Sequence, residues 1–316
     1  MAIEDPNLLN LMLVYSASHR ARFLRHAKPS NRIALWVRDV FPALRHALHN
    51  PHEHITDSHL AIAIMLLSLE IVSPGVFGVE ASWQTYLSLA RDLFLARREQ
   101  YSIREDERAR FLTRWLAYLD VFGSLSCRFT DPPLFGDAYW WPLNEEEFRV
   151  DCFTGFTPRT GLYLARLGQL TNLCDNERFD ESGRFRRHWI PSPSIISDAR
   201  GLLGEMQYSQ QRGHTRGTHH TEQENREMSA TDRAFHWAAV LHAYRRVLCK
   251  PADQEVELAV RHLINALGEI APGSSTEVSI LFPLFTAGCE ARDEHQRSVI
   301  GDRVKNFEAG GLRQVR

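Results

Sequence analysis

The sequence predicts an all-α protein, an irregular multi-helix single domain interrupted by a long polar insert, and three observations lead there. Apolar residues recur at helical spacing in one segment after another. No alternating apolar and polar run of useful length occurs, and no internal repeat of solenoid period. Residues 60–72 are apolar on nearly every side, and a helix without a polar face has no solvent side. The stretch Asp57 to Ser73, DSHLAIAIMLLSLEIVS, is therefore expected as a central helix with others wrapped around it. Thr56 or Asp57 supplies its N-cap and Pro74-Gly75 its stop. Glu70 near its end must find a donor, either a neighbouring Arg or a backbone amide.

In chain order, Asp5-Pro6 caps a first helix with Leu8, Leu9, Met12, Leu13 and Ala17 in helical register. Ile33 to Leu48 forms a second, with a kink or restart at Pro42. His46, His49, His52, His54 and His59 then fall in a connector whose Asn50-Pro51 gives no register for metal ligation. Ser82 to Arg98 is expected to lie antiparallel to the central helix, and Arg108 to Ser126 follows with Arg114 and Asp120 as polar groups that could answer Glu70. Residues 130–144, TDPPLFGDAYWWPLN, read as a structured loop carrying Trp140 and Trp141. Helix is expected to resume at about Glu145, with a turn at residues 153–156 and a strongly amphipathic stretch from Thr160 to Cys174, and Phe185 to Leu203 reads as a connector followed by another helix. From Gly204 to Asp232 the apolar content drops, and this is the expected disordered, mobile or loosely helical insert. Arg233 to Cys249, Val256 to Ile270 and the almost wholly apolar Ile280 to Ala291 close the chain, the last bent at its start by Pro283.

The 316 residues are 44% hydrophobic and 24% charged, with a formal net charge of -2, the profile of an ordinary globular chain. That charge argues against a surface that grips nucleic acid by its phosphates. The five cysteines, Cys127, Cys152, Cys174, Cys249 and Cys289, form no CxxC pair, so no zinc site of the usual spacing is encoded, and their odd number fits reduced thiols. No run reaches membrane length. No GxSxG, HExxH, Walker or GxGxxG motif is present, and Glu70, Asp120, His236 and His242 each stand without a partner at a fixed offset. No catalytic and no metal-binding residues are assigned.

Several segments taken together resemble one family, the fungal-specific regulatory domain found C-terminal to the zinc binuclear cluster of fungal transcription factors. They are Leu8 to Phe23, Leu66 to Arg97, Arg114 to Ser126, FHWAAVLHAYRRVL, Val256 to Ile270, and above all LFPLFTAGCEARDEHQRSVIGDRV from Leu281 to Val304. The resemblance covers most of the chain in the right order. It implies a nuclear helical domain that activates or represses RNA polymerase II transcription, often held in check until a small molecule or partner binds. Its partners would be the transcriptional machinery or co-regulators, with a small apolar ligand and a homodimer as further candidates. The zinc cluster is missing from this sequence, so zinc belongs only to an upstream cysteine cluster and DNA contact to a separate segment. The C-terminus is also shorter than the family's, as in a fragment or shortened relative.

A ligand pocket is expected between the central helix and the Ile280 to Ala291 segment, lined by Met65, Leu69, Trp83, Phe235, Trp237, Phe282 and Phe285, with Gly288 as a hinge. Every one of these residues also suits plain core packing. The rival readings are an α-helical enzyme or biosynthetic-cluster accessory protein with an apolar cavity, and a DNA-free dimerising scaffold.

Overall fold

A computed structural model describes residues 2–50, 54–78, 81–100, 106–126, 132–140, 145–217 and 219–309. His52, Cys127 and Trp141 lie outside the described residues. Among those described, all regular structure is helical, and the β pairings are isolated bridges, Arg149 with Thr215 and Phe179 with Phe185. The chain falls into two compact units, Met1–Leu119 with Val304–Arg316, and Asp120–Arg303.

The first unit is built on α4 (Asp57–Val72), which is buried on all sides as its sequence requires: Ile62, Ile64 and Leu67 are each at most 1% exposed. Thr56 caps it, and His59 takes the place a Glu usually fills in a capping box by accepting the Thr56 N–H at 3.2 Å. Against it stand α1 (Pro6–Phe23), α3 (Val40–His49) and α5 (Trp83–Gln100), while α2 (Ser30–Val37) packs on α1 and α3. The Arg22 guanidinium donates to the Val72 carbonyl at 2.7 Å, satisfying an orphan acceptor at the end of α4. An Arg97–Asp57 ion pair of 2.6 Å joins the last turn of α5 to the first of α4, which makes the two antiparallel neighbours.

One detail here differs from the sequence reading and one agrees with it. The break expected at Pro42 falls earlier, at residues 38–39, and α3 restarts at Val40. That places Pro42 in the first turn, where a backbone N–H has no intrahelical acceptor to miss. Glu70 takes the backbone amide that the sequence reading offered it as one option. Its carboxylate accepts the Gly75 N–H at 3.0 Å, closing the turn after α4, and Asp120 accepts the N–H groups of Leu134 and Phe135.

The second unit takes the end of α6 (Glu107–Ser126) and then α7 (Asp137–Trp140), α8 (Pro158–Arg178), α9 (Pro193–Gln210) and α10 (Glu222–His242). After a π turn (Ala243–Val247) come α11 (Gln254–Gly268), α12 (Leu281–Glu290) and the start of α13 (Glu294–Ala309). α10 packs on α8, α11 and α12. Its small residues Ala230, Ala234, Ala238 and Ala239, all buried, let those neighbours approach closely.

The insert 204–232, expected as disordered, mobile or loosely helical, is largely regular helix, with α9 running to Gln210 and α10 beginning at Glu222. Thr221 and Glu224 form a capping box, which starts α10 eleven residues before the apolar run that the sequence reading used. Met206 and Met228 are buried, so two well-placed methionines do the work of a longer apolar stripe. The connector of residues 211–221 is held by hydrogen bonds rather than apolar burial. Thr215 N–H donates to the Phe148 carbonyl, and Asn225 accepts the Gly217 N–H at 3.0 Å while donating to the Gly217, His220 and Thr221 carbonyls.

Two glycines are required by their surroundings. Gly155 has φ +80, and a Cβ there would also overlap the Ser279 side chain. Gly161 lets the Trp140 ring lie against the α8 backbone, and a Cβ would sit inside the van der Waals surface of that ring. Gly161→Ala is expected to destabilise the protein by about 1–3 kcal/mol through forced displacement of Trp140. A thermal melt followed by Trp fluorescence checks this, because the emission should red-shift as Trp140, 6% exposed in the native fold, moves outward.

Candidate functional site

The α10–α12 contact is the place where polar and aromatic groups are brought together in register. Position 235 on α10 stacks on Phe282, with ring planes within 11°. Seven residues later, the His242 imidazole also stacks on Phe282, with centroids 5.0 Å apart, and its Nε2 lies 3.1 Å from Thr286 Oγ1. Further on, Arg245 Nε reaches both oxygens of Glu290 at 3.0 and 2.9 Å. Residue numbers rise together on both partners, so α10 and α12 run in the same direction along three rungs.

The middle rung fixes a proton. Thr286 Oγ1 has one hydrogen, and it donates it to the Phe282 carbonyl four residues back at 3.0 Å. The Nε2 of His242 must therefore be the N–H that Thr286 accepts. Burial pushes the His242 pKa down to about 4, with Arg246 adding to the effect, so the ring is neutral at physiological pH. His236, on the same helix, is lowered to about 4 as well, by burial against a smaller upward pull from Asp232.

The π turn directly after His242 sends adjacent arginines to different helices. Arg245 binds Glu290 on α12 and the Lys250 carbonyl, whereas Arg246 reaches Asp175 on α8 at 3.2 Å and the Leu125 carbonyl at the end of α6. Arg178 donates in turn to the Arg246 carbonyl at 2.5 Å. Single π turns inside α-helices are frequent at functional sites. Cys249 follows with φ 50, and Lys250-Pro251 ends the helix.

A second polar knot lies at the middle of α10. Asp232 accepts the Thr157 N–H at 2.7 Å through Oδ1, and its Oδ2 is 2.8 Å from His214 Nε2. A carboxylate only accepts, so Nε2 is the donor. Burial raises the Asp232 pKa, but the bonds from His214, Thr157 and Thr160 outweigh it and hold the group below its ordinary value.

The structure distributes the candidate pocket residues unevenly. Phe235 and Phe282 meet, and Phe122 and Phe156 join them with centroids 4.7 to 6.1 Å apart in the Phe122–Phe282, Phe156–Phe235 and Phe122–Phe156 pairs. Trp237 turns instead to α11, where it stacks on His262 at 4.4 Å. Phe285 is 71% exposed, because α12 buries only the face of Pro283, Leu284, Thr286 and Ala287. Gly288 is exposed and a Cβ there would meet Ile300 only at an ordinary 3.5 Å, so no close approach depends on it. Met65 and Leu69 on α4 and Trp83 at the start of α5 belong to the first unit, where Leu69 is buried and the other two half-buried. Phe285→Ala is expected to leave the melting temperature within about 1 °C of wild type, while Phe282→Ala costs about 2–3 kcal/mol. Paired thermal melts decide it.

Among the described residues, no group of three or more His, Cys, Asp or Glu side chains is placed to hold a metal ion, and no helix is long and apolar enough to cross a membrane. His49 and His59 of the histidine-rich connector are used locally, His49 on the Arg45 carbonyl and His59 in the α4 cap. The rungs at Thr286 and Glu290 and the π turn were missed by sequence reasoning. The first had a signal in the spacing of Phe282, Thr286 and Glu290, one turn apart each. The π turn had none.

In comparison with known proteins, the sequence model described as the fungal specific transcription factor domain matches residues 1–316. No curated protein and no solved structure matches the chain.

Proposed function

Because the chain belongs to the fungal specific transcription factor domain family, and with it to transcription regulation, we propose that it is a ligand- or partner-sensing domain whose output is conformational. On this reading it acts in the nucleus on RNA polymerase II transcription, through the transcriptional machinery or co-regulators, and performs no catalysis. The supporting observation is the α10–α12 ladder, in which a half-buried Phe282 is shared by Phe235 and His242 and the π turn follows at once. A small apolar ligand reaching Phe282 competes with ring stacking that holds the two helices in register.

The mechanism is a population shift. A ligand moves the register only by its difference in affinity for two arrangements, and a full switch from 1:99 to 99:1 needs about 5.5 kcal/mol of such difference. The π turn gives α10 a second way to place Arg245 and Arg246, and so a way for that shift to reach α8 and α12 together.

The chain fused to a heterologous DNA-binding domain and a reporter gene tests this. Phe282→Ala and His242→Ala are expected to change reporter output several-fold at equal protein level, and native mass spectrometry of the chain from its own source to show an added small-molecule mass. Output identical to wild type in both variants, with folding confirmed by circular dichroism, overturns the ladder as the switch. A clean apo mass overturns the small-ligand form of it.

A further inference from the structure

We propose that the hairpin joining α8 to α9 is a docking site for an acidic, apolar-bearing segment of a partner protein. This goes beyond the α10–α12 ladder and does not depend on it.

The connector from Phe179 to Ser192 is long for a link between packed helices, and such links are usually functional when they lack regular structure. It is nonetheless ordered by its own bonds. Asp180 N–H donates to the Arg184 carbonyl at 3.0 Å and Arg186 N–H to the Arg178 carbonyl at 2.9 Å. The Asp180 carboxylate accepts the Ser182 hydroxyl at 2.6 Å and the Arg184 N–H at 2.8 Å, bonds that hold it below the usual carboxylate range. The Phe179 and Phe185 rings meet edge to face. At the base, Arg178 lies 4.5 Å over the Trp189 ring, and Glu177 accepts both the Trp189 indole N–H and the Ser192 N–H.

What this frame holds out is unusual in kind. Every residue from 181 to 188 is exposed, including Arg184, Arg186, Arg187 and His188. Phe185 is 56% and Ile190 79% exposed. Arg178 is taken up by Asp175 and the Arg246 carbonyl, whereas Arg184, Arg186 and Arg187 form no ion pair among the described residues. Of the carboxylates in and beside the hairpin, Glu177 is bonded to Trp189 and Ser192 at the base and Asp180 is bonded inside the turn, where it feels Arg186 without an ion pair, so three guanidinium groups outnumber the acidic groups that face them. A loop already fixed loses little entropy on binding, so these side chains are presented at low cost.

The chemistry of the partner follows from the mixture. A guanidinium fork fits carboxylate and phosphate alike, so the arginines alone do not choose. The apolar pair does. A nucleic-acid duplex presents a polar backbone that gives Phe185 and Ile190 nothing to bury against, while an acidic peptide with aromatic or aliphatic residues satisfies both sets at once.

Fluorescence anisotropy with the full chain tests this, using a short labelled peptide that alternates Asp with Phe and Leu. Binding is expected, weakening with added salt. Arg184→Glu with Arg186→Glu should reduce affinity at least about tenfold, and Phe185→Ser about fivefold. Because Phe185 also touches Phe179, Ile190→Ser serves as a second apolar variant that leaves the hairpin's own bonds alone. The proposal is overturned if the peptide does not bind, if Asn in place of Asp binds equally well, or if both apolar variants bind like wild type. It is also overturned if a labelled DNA duplex displaces the peptide and binds indifferently to Phe185 and Ile190, which would make the hairpin a phosphate-binding surface.

Discussion

Unfolding free energy is expected to fall by about 5 kcal/mol between pH 7 and pH 4, most of it above the range where ordinary carboxylates titrate. His236 and His242 account for it, since each ionises near pH 6.5 in the unfolded chain but only at about 4 in the folded one. The unfolded state thus binds more protons throughout that window, and acid favours it. At about 1.4 kcal/mol per unit, each histidine contributes on the order of 3 kcal/mol at most. The stabilisation is complete above the unfolded value and is lost as pH falls toward the folded one. Urea midpoints measured at pH 7.5, 6, 5 and 4.5 should decline steadily, and His242→Gln should remove about half of the decline. A glutamine can still donate to Thr286 Oγ1, so the variant separates loss of the titrating group from loss of the hydrogen bond. A pH-independent midpoint in wild type would show that these rings meet solvent in the native state.

That the acid sensitivity resides in His236 and His242 could not be read from the sequence, although both residues were visible in it. The 3.6-residue pattern of RAFHWAAVLHAY placed them on a helix, and one face of that helix was evidently apolar. Whether a histidine on the border of an apolar face is covered depends on what packs there, and α12 comes some forty residues later in the chain. The rod of α4 was legible for the opposite reason: with no polar face there is only one place for it to go, whatever its neighbours. The same distinction explains the pocket residues. Phe235 falls on the fully buried face of its helix, whereas Phe285 lies in an equally apolar run on the face that is left exposed. Hydrophobicity ranks residues by preference for the interior, and it does not say which face of a short helix is left over.

The polar stretch 204–232 marks where composition misleads, and Asp232→Ala measures by how much. Low apolar content predicts disorder when polar groups are assumed to face water, but here they face one another. Asp232, 7% exposed, closes the N-terminal turn of α8 through Thr157 and anchors the 211–221 connector through His214. Removing its carboxylate takes the acceptor from the Thr157 N–H, which is buried, from His214 Nε2 and from the Thr160 hydroxyl, and the expected cost is about 3–5 kcal/mol. Asp232→Asn retains a carbonyl oxygen for Thr157 and turns an amide toward His214, which can accept from it through its other tautomer. That variant should lose only about 1–2 kcal/mol. The two outcomes separate a role for the charge from a role for the acceptor. Since the connector has little apolar anchorage, its release should be local as well as global: limited trypsin digestion is expected to cut at Arg212 and Arg216 many-fold faster in Asp232→Ala at temperatures where the helices stay folded by circular dichroism. The Asp232 pKa lies below its ordinary 3.8, so its contribution is full above that value and is lost only as pH falls toward the folded one, which leaves it intact at the neutral pH of the digestion. Equal digestion rates in wild type and variant would mean that the connector is held by Asn225 and the Phe148 pairing alone, with Asp232 serving α8 only.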